Sequence, residues 1–253
     1  MRGRAELNWN ITQPMLNDQL LEAFMNGFYG FGNYHAPYWF IGMEEGGKAT
    51  FQDIAKQLDI WDKWGRKELL DVVEYAHAIG MNRWYGEHPA LQPTWRNLIR
   101  VFLIAEGRNA DNATMRQYQK TKWGTEDGET CVVELMPLPS PDTSSWLYKE
   151  ISALPYLISR KTYREYIVDS RIAHLQNNIM RYKPKAVVCY GSGYDSYWKR
   201  LANVDVWKKS PEGVNYSVSN STIFVATKHP TRSTNEHFHN IGKLIAGMKS
   251  TEL

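Results

Sequence analysis

The sequence predicts an α/β fold in which helices cover both faces of a mostly parallel sheet. Four short apolar runs, rich in β-branched and aromatic residues, have the length and composition of buried strands. Segments with helical spacing separate them, and strands that alternate with helices favour parallel pairing. We therefore expect a three-layer α/β/α domain around a central four-stranded sheet. The predicted strands cover residues 38–42, 130–136, 186–190 and 222–227.

Amphipathic patterns predict the helices between these strands. Asn17 and Thr94 precede two of the patterns, and both residue types accept hydrogen bonds at helix N-termini. Prolines at 137, 139 and 141 follow the second strand, and because proline cannot donate to a sheet ladder we expect a stiff loop there. In chain order, the helical patterns cover residues 17–25, 51–58, 61–78, 94–102, 112–121, 144–157, 163–180 and 237–248, with one more around Trp198.

Length and charge indicate one soluble domain. The 253 residues are enough for a single large α/β domain, residues 1–253, and no linker divides them. With 30 Lys and Arg against 27 Asp and Glu the net charge is only +3, so any site for a polyanion must be local. No apolar run approaches the roughly 20 residues of a membrane span, and residues 1–6 do not begin a signal peptide. We expect a cytoplasmic monomer that makes no membrane contact.

The cysteines and the common catalytic motifs exclude several enzyme classes. Cys131 and Cys189 lie inside apolar runs and are expected to be buried thiols from a reducing compartment. Two thiols cannot supply a four-cysteine iron–sulfur cluster. The sequence contains no Walker loop, no His-Glu-x-x-His and no G-x-S-x-G motif. We expect no cofactor and no metal site.

Three of the predicted strands end in residues that can do chemistry. Glu44 and Glu45 follow the first strand and precede Gly46 and Gly47, Glu134 lies near the end of the second, and His229 follows the last. Because ligands gather at the carboxyl ends of parallel strands, these side chains are expected at one edge of the sheet. Each also has a plainer interpretation: an acidic pair before glycines is typical of a solvated turn, and a single histidine is more often structural.

The order of these segments resembles the uracil-DNA glycosylase superfamily over residues 38–245. The segments are Gly42–Gly46 (GMEEG), Glu134, Tyr190–Ser192 (YGS) and His229–Ser233 (HPTRS). They are similar, in order and in position at strand ends, to that superfamily's water-positioning loop, base-reading residue, phosphate-binding turn and histidine loop. Three departures stand out: Glu45 replaces a proline, Arg232-Ser233 replaces the Pro-Leu of the wedge loop, and Glu134 replaces an asparagine.

The resemblance implies a monofunctional DNA glycosylase, which flips a base out of DNA and hydrolyses its N-glycosidic bond to leave an abasic site. Glu44 would be the catalytic residue that positions water, and His229 would bind the base carbonyl. Base flipping also requires a pocket for the base and residues that bind the DNA phosphates on either side of the flipped nucleotide. The expected base-binding residues are Met43, Glu134, Glu45 and Phe51, and the expected DNA-phosphate-binding residues are Ser192, Thr231, Arg232 and Ser233.

Glu134 bears on the choice of base. An asparagine both donates and accepts hydrogen bonds, whereas an ionised glutamate only accepts and would repel the O4 atom of uracil. A carboxylate suits an exocyclic amine such as cytosine N4. The hypothesis is therefore a modified cytosine as the target, as in those superfamily members that act in phage defence.

Three alternatives stay open at this point. The chain could be an ordinary repair glycosylase for uracil or other deaminated bases. It could also be a catalytically inactive nucleic-acid binder that keeps the fold, because a fold does not fix a function. A nucleoside or free-base hydrolase is a third alternative, and its activity would depend little on salt. Trp95 and Tyr190 compete with Phe51 as the aromatic residue that stacks on the base.

Overall fold

The computed structural model describes residues 14–46, 50–142 and 144–249. Residues 1–6, from which no signal peptide is expected, and Gly47 of the predicted acidic loop lie outside these ranges. The strands are β1 (Gly30–Phe31), β2 (Tyr38–Gly46), β3 (Leu69–Leu70), β4 (Thr130–Ser140), β5 (Ala186–Tyr190), β6 (Lys208–Lys209), β7 (Asn215–Ser219) and β8 (Thr222–Thr227). The α-helices are α1 (Asp18–Gly27), α2 (Phe51–Lys63), α3 (Val72–Ile79), α4 (Asn82–Tyr85), α5 (Pro93–Ala105), α6 (Asn112–Thr121), α7 (Tyr148–Ile151), α8 (Arg160–Tyr182), α9 (Asp195–Ala202) and α10 (Asn235–Lys249).

The strands form one mixed sheet in the order β3-β1-β4-β2-β5-β8-β7-β6. The α/β class is confirmed, but the predicted mostly parallel sheet of four strands is wrong, because the described residues contain eight strands and three of the seven pairings are antiparallel. The central strands β4, β2, β5 and β8 are those predicted, and they pair in parallel. The added strands flank them, and β1 and β7 pair with their central neighbours in antiparallel fashion. Three of the four added strands have only two residues, which is too short for an alternating pattern to be visible in sequence.

Alternation along the central strands builds two cores, one on each face of the sheet. In β2, Trp39 and Ile41 belong to one core, whereas Tyr38 and Phe40 belong to the other. The first core is covered by α1, α2, α3, α8 and α9. The second is covered by α5, α6 and α10. Helices therefore cover both faces of the sheet, as the near-continuous apolar runs of its central strands require.

Several helix boundaries differ from the sequence prediction. The pattern at 61–78 is interrupted where Gly65 and Arg66 adopt positive φ angles of 83° and 55°, and β3 follows there. The N-cap of α5 is Gln92 rather than Thr94, because Pro93 takes the first helical position, where its missing N–H is not needed. The segment 144–157 holds only α7 and a 3₁₀ turn. The Asp142 carboxylate accepts the N–H groups of residues 144 and 145 and so competes with helix formation.

Strand β4 continues through Pro137 and Pro139, where a loop was expected. Between Glu44 and Gly46 the β2–β4 register shifts, so that Met136 and Ser140 are paired but the three residues between them are not. The prolines therefore occupy ladder positions at which no N–H has to be donated. This extension brings Ser140 and Pro141 to the same edge as the end of β2.

Among the residues that the structure describes, no helix combines the length and the apolar character needed to cross a membrane.

Candidate active site at the carboxyl ends of the parallel strands

An open cleft of about 580 Å³ lies at the carboxyl ends of the central strands. Residues from the ends of β2, β4, β5 and β8 line it, together with Arg160 from α8. Seven of the ten residues proposed from the sequence line the cleft: Met43, Glu44, Glu45, Ser192, His229, Thr231 and Arg232. The parallel sheet thus brings together segments that are up to about 190 residues apart in the chain.

Three of the proposed residues do not line the cleft. Phe51 is the first residue of α2 and packs against the first core, so the structure does not place it where it could stack on a base in the cleft. Ser233 ends the turn after β8 and is half-buried outside the lining. Glu134 lies behind the wall and contacts the cleft through Tyr190. Tyr190 and Tyr194 are the two aromatic residues of the lining.

Glu44 is held by two arginines of α8. Arg164 donates to Oε1 from Nε at 2.8 Å and from Nη2 at 2.6 Å, and Arg160 donates to Oε2 from Nη1. The Glu44 side chain is only 10% exposed, so these are largely buried ion pairs. Both oxygens of the carboxylate are therefore committed to guanidinium groups, and the end of β2 is tied to the first turns of α8.

A local sequence pattern indicates that these two arginines need an acidic partner. Ser159 caps α8, and Arg160 and Arg164 follow it in the first two turns of the helix. A helix N-terminus carries partial positive charge and favours acidic residues, so two cations there need a carboxylate from elsewhere. Arg160 also donates to Ser140 Oγ at 2.7 Å and to the Asp142 carbonyl at 2.6 Å, which fixes the end of β4.

Glu45 has a different environment from its neighbour. Gln57 of α2 donates to its Oε2 at 3.3 Å, and no Lys, Arg or His of the described residues forms an ion pair with it. Burial raises the pKa of Glu45 above its ordinary value, and the Gln57 hydrogen bond opposes this only in part. Glu45 is therefore a cleft-lining carboxyl group that changes protonation more readily than an ion-paired one.

Glu134, which is half-buried, pairs with the buried Tyr190 across Gly42. The Tyr190 hydroxyl donates to Glu134 Oε1 at 2.9 Å, while Oε2 is buried and has no hydrogen-bond partner among the described residues. The pKa of Glu134 is raised to about 8, mainly by burial; the Tyr190 hydrogen bond and the charge of Arg171 oppose this rise, and the charges of Glu45 and Glu44 add to it. At neutral pH the carboxyl group is therefore mostly protonated. Because Tyr190 occupies Oε1, the proton belongs on Oε2.

Gly42 leaves the space in which this pair forms. A Cβ atom at position 42 would overlap Glu134 Oε2 and the Tyr190 hydroxyl. We expect Gly42→Ala to lower the free energy of unfolding by about 1 to 3 kcal/mol, because this hydrogen-bonded pair must move or break. Denaturant unfolding measures this difference. The matched control is Gly46→Ala, because a Cβ atom there meets nothing within 4 Å. Equal stability of the two variants would contradict the proposed packing.

His229 is prepared to act as a neutral hydrogen-bond donor. The backbone N–H of Thr231 donates to its Nδ1 at 3.4 Å, and the Thr231 hydroxyl lies 2.9 Å from the same atom. Burial lowers the pKa of His229, and nearby Arg232 lowers it further, so the neutral ring is favoured at pH 7. With Nδ1 accepting, the proton of the neutral ring lies on Nε2.

The turn after β5 presents Ser192 to the cleft. Gly191 has a φ of 103°, and a Cβ atom there would lie 3.0 Å from the Tyr194 ring, so glycine is needed at this position. Trp198 holds the turn by donating to the Gly191 carbonyl at 2.9 Å. Ser192 is exposed, as are Lys228, Thr231 and Arg232, which follow the neighbouring strand β8 and line the same cleft. These donors and cations form a rim that suits an anionic ligand.

A scan against protein-family models and a search of the curated proteins found no match to this chain. The function is therefore inferred from the order of the motifs and from the geometry of the cleft.

Proposed function

We propose that this protein is a monofunctional DNA N-glycosylase that hydrolyses the bond between a flipped base and its deoxyribose. The observation that carries the proposal is the single cleft in which Glu44, Glu45, Tyr190, Ser192 and His229 meet at the strand ends. These positions come from the segments whose order resembles the uracil-DNA glycosylase superfamily. An acid, a neutral donor and an anion-binding rim in one open cleft are the groups that this reaction needs.

The charges in the cleft suit the two halves of the reaction. Breaking an N-glycosidic bond builds positive charge on the sugar and negative charge on the departing base. A carboxylate from the end of β2 would stabilise the sugar side and orient the attacking water. The Nε2–H group of His229 would donate to a carbonyl of the base, and a neutral imidazole can do so without ionising.

The rim of the cleft would hold the DNA backbone. Ser192 lies on the β5 side, and Lys228, Thr231 and Arg232 lie on the β8 side. Phosphate contacts of this kind fix the position of the strand but do not read its sequence. The phosphate contacts are therefore confined to the rim of the cleft, which is compatible with a net charge of only +3.

Glu134 bears on the target base only through Tyr190, because it lies behind the cleft wall, its Oε1 accepts from Tyr190 and its Oε2 is buried. An ionised Glu134, which would repel uracil, predominates only above about pH 8 and not at neutral pH. A modified cytosine, as in defence against phage DNA, is the favoured substrate, and uracil is the alternative.

Base release from defined oligonucleotides tests the proposal. We expect alkali-labile abasic sites in DNA that carries hydroxymethylcytosine or glucosylated hydroxymethylcytosine, and we expect His229→Ala to slow their formation about 10²- to 10³-fold, because it removes the donor to the base carbonyl. Oligonucleotides with uracil or hypoxanthine, in single and double strands, complete the set. Uracil release without action on modified cytosine would overturn the base assignment.

The matched control for this test is His88→Ala, because His88 is exposed and does not line the cleft. It should keep the activity of the unaltered protein. A fully active His229→Ala variant would contradict the mechanism.

A catalytically inactive nucleic-acid binder is the second candidate, and the two arginines on Glu44 favour it. A carboxylate that is ion-paired through both oxygens is poorly suited to accept a proton. Such a protein would bind oligonucleotides with a strong salt dependence and form no abasic sites. The base-release assay therefore separates the two candidates.

A further inference from the structure

Two adjacent carboxylates line the cleft, and they differ in what they can do. The oxygens of Glu44 accept hydrogen bonds from Arg160 and Arg164, so taking a proton would require breaking a largely buried ion pair. Glu45 makes one long hydrogen bond, at 3.3 Å, with Gln57, and it lies within the same lining. Successive side chains of a strand point in opposite directions, so Glu44 reaches α8 whereas Glu45 reaches α2.

We infer that Glu45 is the carboxylate that activates water in this cleft, and that Glu44 is a positioning residue. Held by α8, Glu44 fixes the end of β2 and so sets the position of the next residue, Glu45. This inference rests on the proposed glycosylase function and names the group that performs its central proton transfer. It also gives a role to the residue that stands where the related superfamily has a proline.

The step balances with the groups in the cleft. The oxygen of water bonds to C1′ of the deoxyribose, and one proton of that water passes to the Glu45 carboxylate. The bond between C1′ and the base nitrogen breaks, and its electron pair leaves with the base. The base takes up one proton from the solvent, and Glu45 afterwards releases its proton to the solvent, which restores the carboxylate. His229 donates a hydrogen bond to the base carbonyl throughout.

The surroundings of Glu45 strengthen it as a base. Burial raises its pKa, and a general base with a pKa closer to the working pH accepts a proton more effectively. Five groups from neighbouring elements interact with it, and all are neutral or acidic: Gln57 from α2, Tyr75 from α3, Tyr148 from α7, Glu134 from β4 and Tyr190 from β5. Arg160, Lys228, His229 and Arg232 line the same cleft, but none of them forms an ion pair with Glu45.

Single-turnover base release as a function of pH tests the inference. The rate is measured from about pH 5 to pH 9 with an oligonucleotide from which the unaltered protein releases a base. The rate should fall on the acid side, because Glu45 is protonated and inactive below its raised pKa. Glu45→Gln should fold, lose about 10²-fold or more in rate and lose the acid limb of the profile. Glu44→Gln should reduce the folded fraction, but the folded protein should keep the acid limb.

Two variants serve as controls. Glu165→Gln removes an exposed carboxylate of α8 that does not line the cleft, and it should leave both rate and profile unchanged. Glu134→Gln removes the other carboxyl group with a raised pKa and should leave the acid limb in place.

The outcomes separate the two levels of the proposal. Two results with an active protein would overturn this inference alone. The first is a Glu45→Gln variant whose rate is within threefold of that of the unaltered protein. The second is loss of the acid limb in Glu44→Gln and not in Glu45→Gln. A correctly folded protein that releases no base from any of the oligonucleotides would overturn the proposed function and, with it, the role assigned to Glu45.

Discussion

Glu44→Ala should lower the free energy of unfolding by about 3 to 5 kcal/mol, because it leaves two largely buried guanidinium groups without a counter-charge. The side chains of Arg160 and Arg164 are only 12% and 19% exposed, so water cannot replace the lost carboxylate well. Urea unfolding followed by circular dichroism measures the change. The double variant Glu44→Ala with Arg164→Ala should lose less than the sum of the single losses, because removing both partners leaves fewer uncompensated charges.

The matched control lies on the same helix. Glu165 pairs with Lys161 at 3.0 Å, but both side chains are well exposed, at 60% and 82%. Exposed pairs of this kind contribute little, so Glu165→Ala should cost less than about 1 kcal/mol. If Glu44→Ala were as mild as this control, the arginine pairs would not be what holds the end of β2 against α8.

The central sheet could be predicted from the sequence because its strands are buried on both faces. The run 38–42 is apolar at both odd and even positions, as a strand between two cores must be, and β2 fills both cores as expected. The edge strands could not be predicted in this way. Strand β3 has two residues, Leu69 and Leu70, inside what is otherwise a helical pattern, and only its pairing with β1 defines it.

The composition of the cleft could also be predicted, but the partners of its carboxylates could not. Motif order placed Glu44, Glu45 and His229 at one edge, and the structure brings them together. Whether a carboxylate is free or ion-paired depends on which helix packs beside it. Arg160 and Arg164 lie about 120 residues beyond Glu44 in the chain, so the residues near Glu44 do not predict that it is ion-paired. The protonation of Glu134 likewise depends on burial by distant segments.

Glu134 therefore leads to a pH-dependent stability. Its pKa is raised from 4.5 to about 8 in the folded protein, so from about pH 4.5 to pH 8 the unfolded chain ionises this group while the folded chain keeps it protonated. The folded state binds more protons over this window, and stability must fall as the pH rises through it. The contribution of Glu134 is fully present below about pH 4.5 and is lost by about pH 8, with a total on the order of 5 kcal/mol.

Glu134→Gln isolates this effect, because glutamine has the shape of the protonated acid and cannot ionise. Its Oε1 can still accept from Tyr190, and its Nε2 takes the place of the buried Oε2. The variant and the unaltered protein should therefore have similar unfolding free energies near pH 5. Near pH 8 the variant should be more stable by about 2 to 4 kcal/mol, because only the unaltered protein must keep an acid protonated against the solvent. Unfolding curves measured at both pH values give this difference directly. A constant offset between the two proteins would show that Glu134 is ionised in the folded state, and the Tyr190 pair would then hold a carboxylate that repels the O4 atom of uracil.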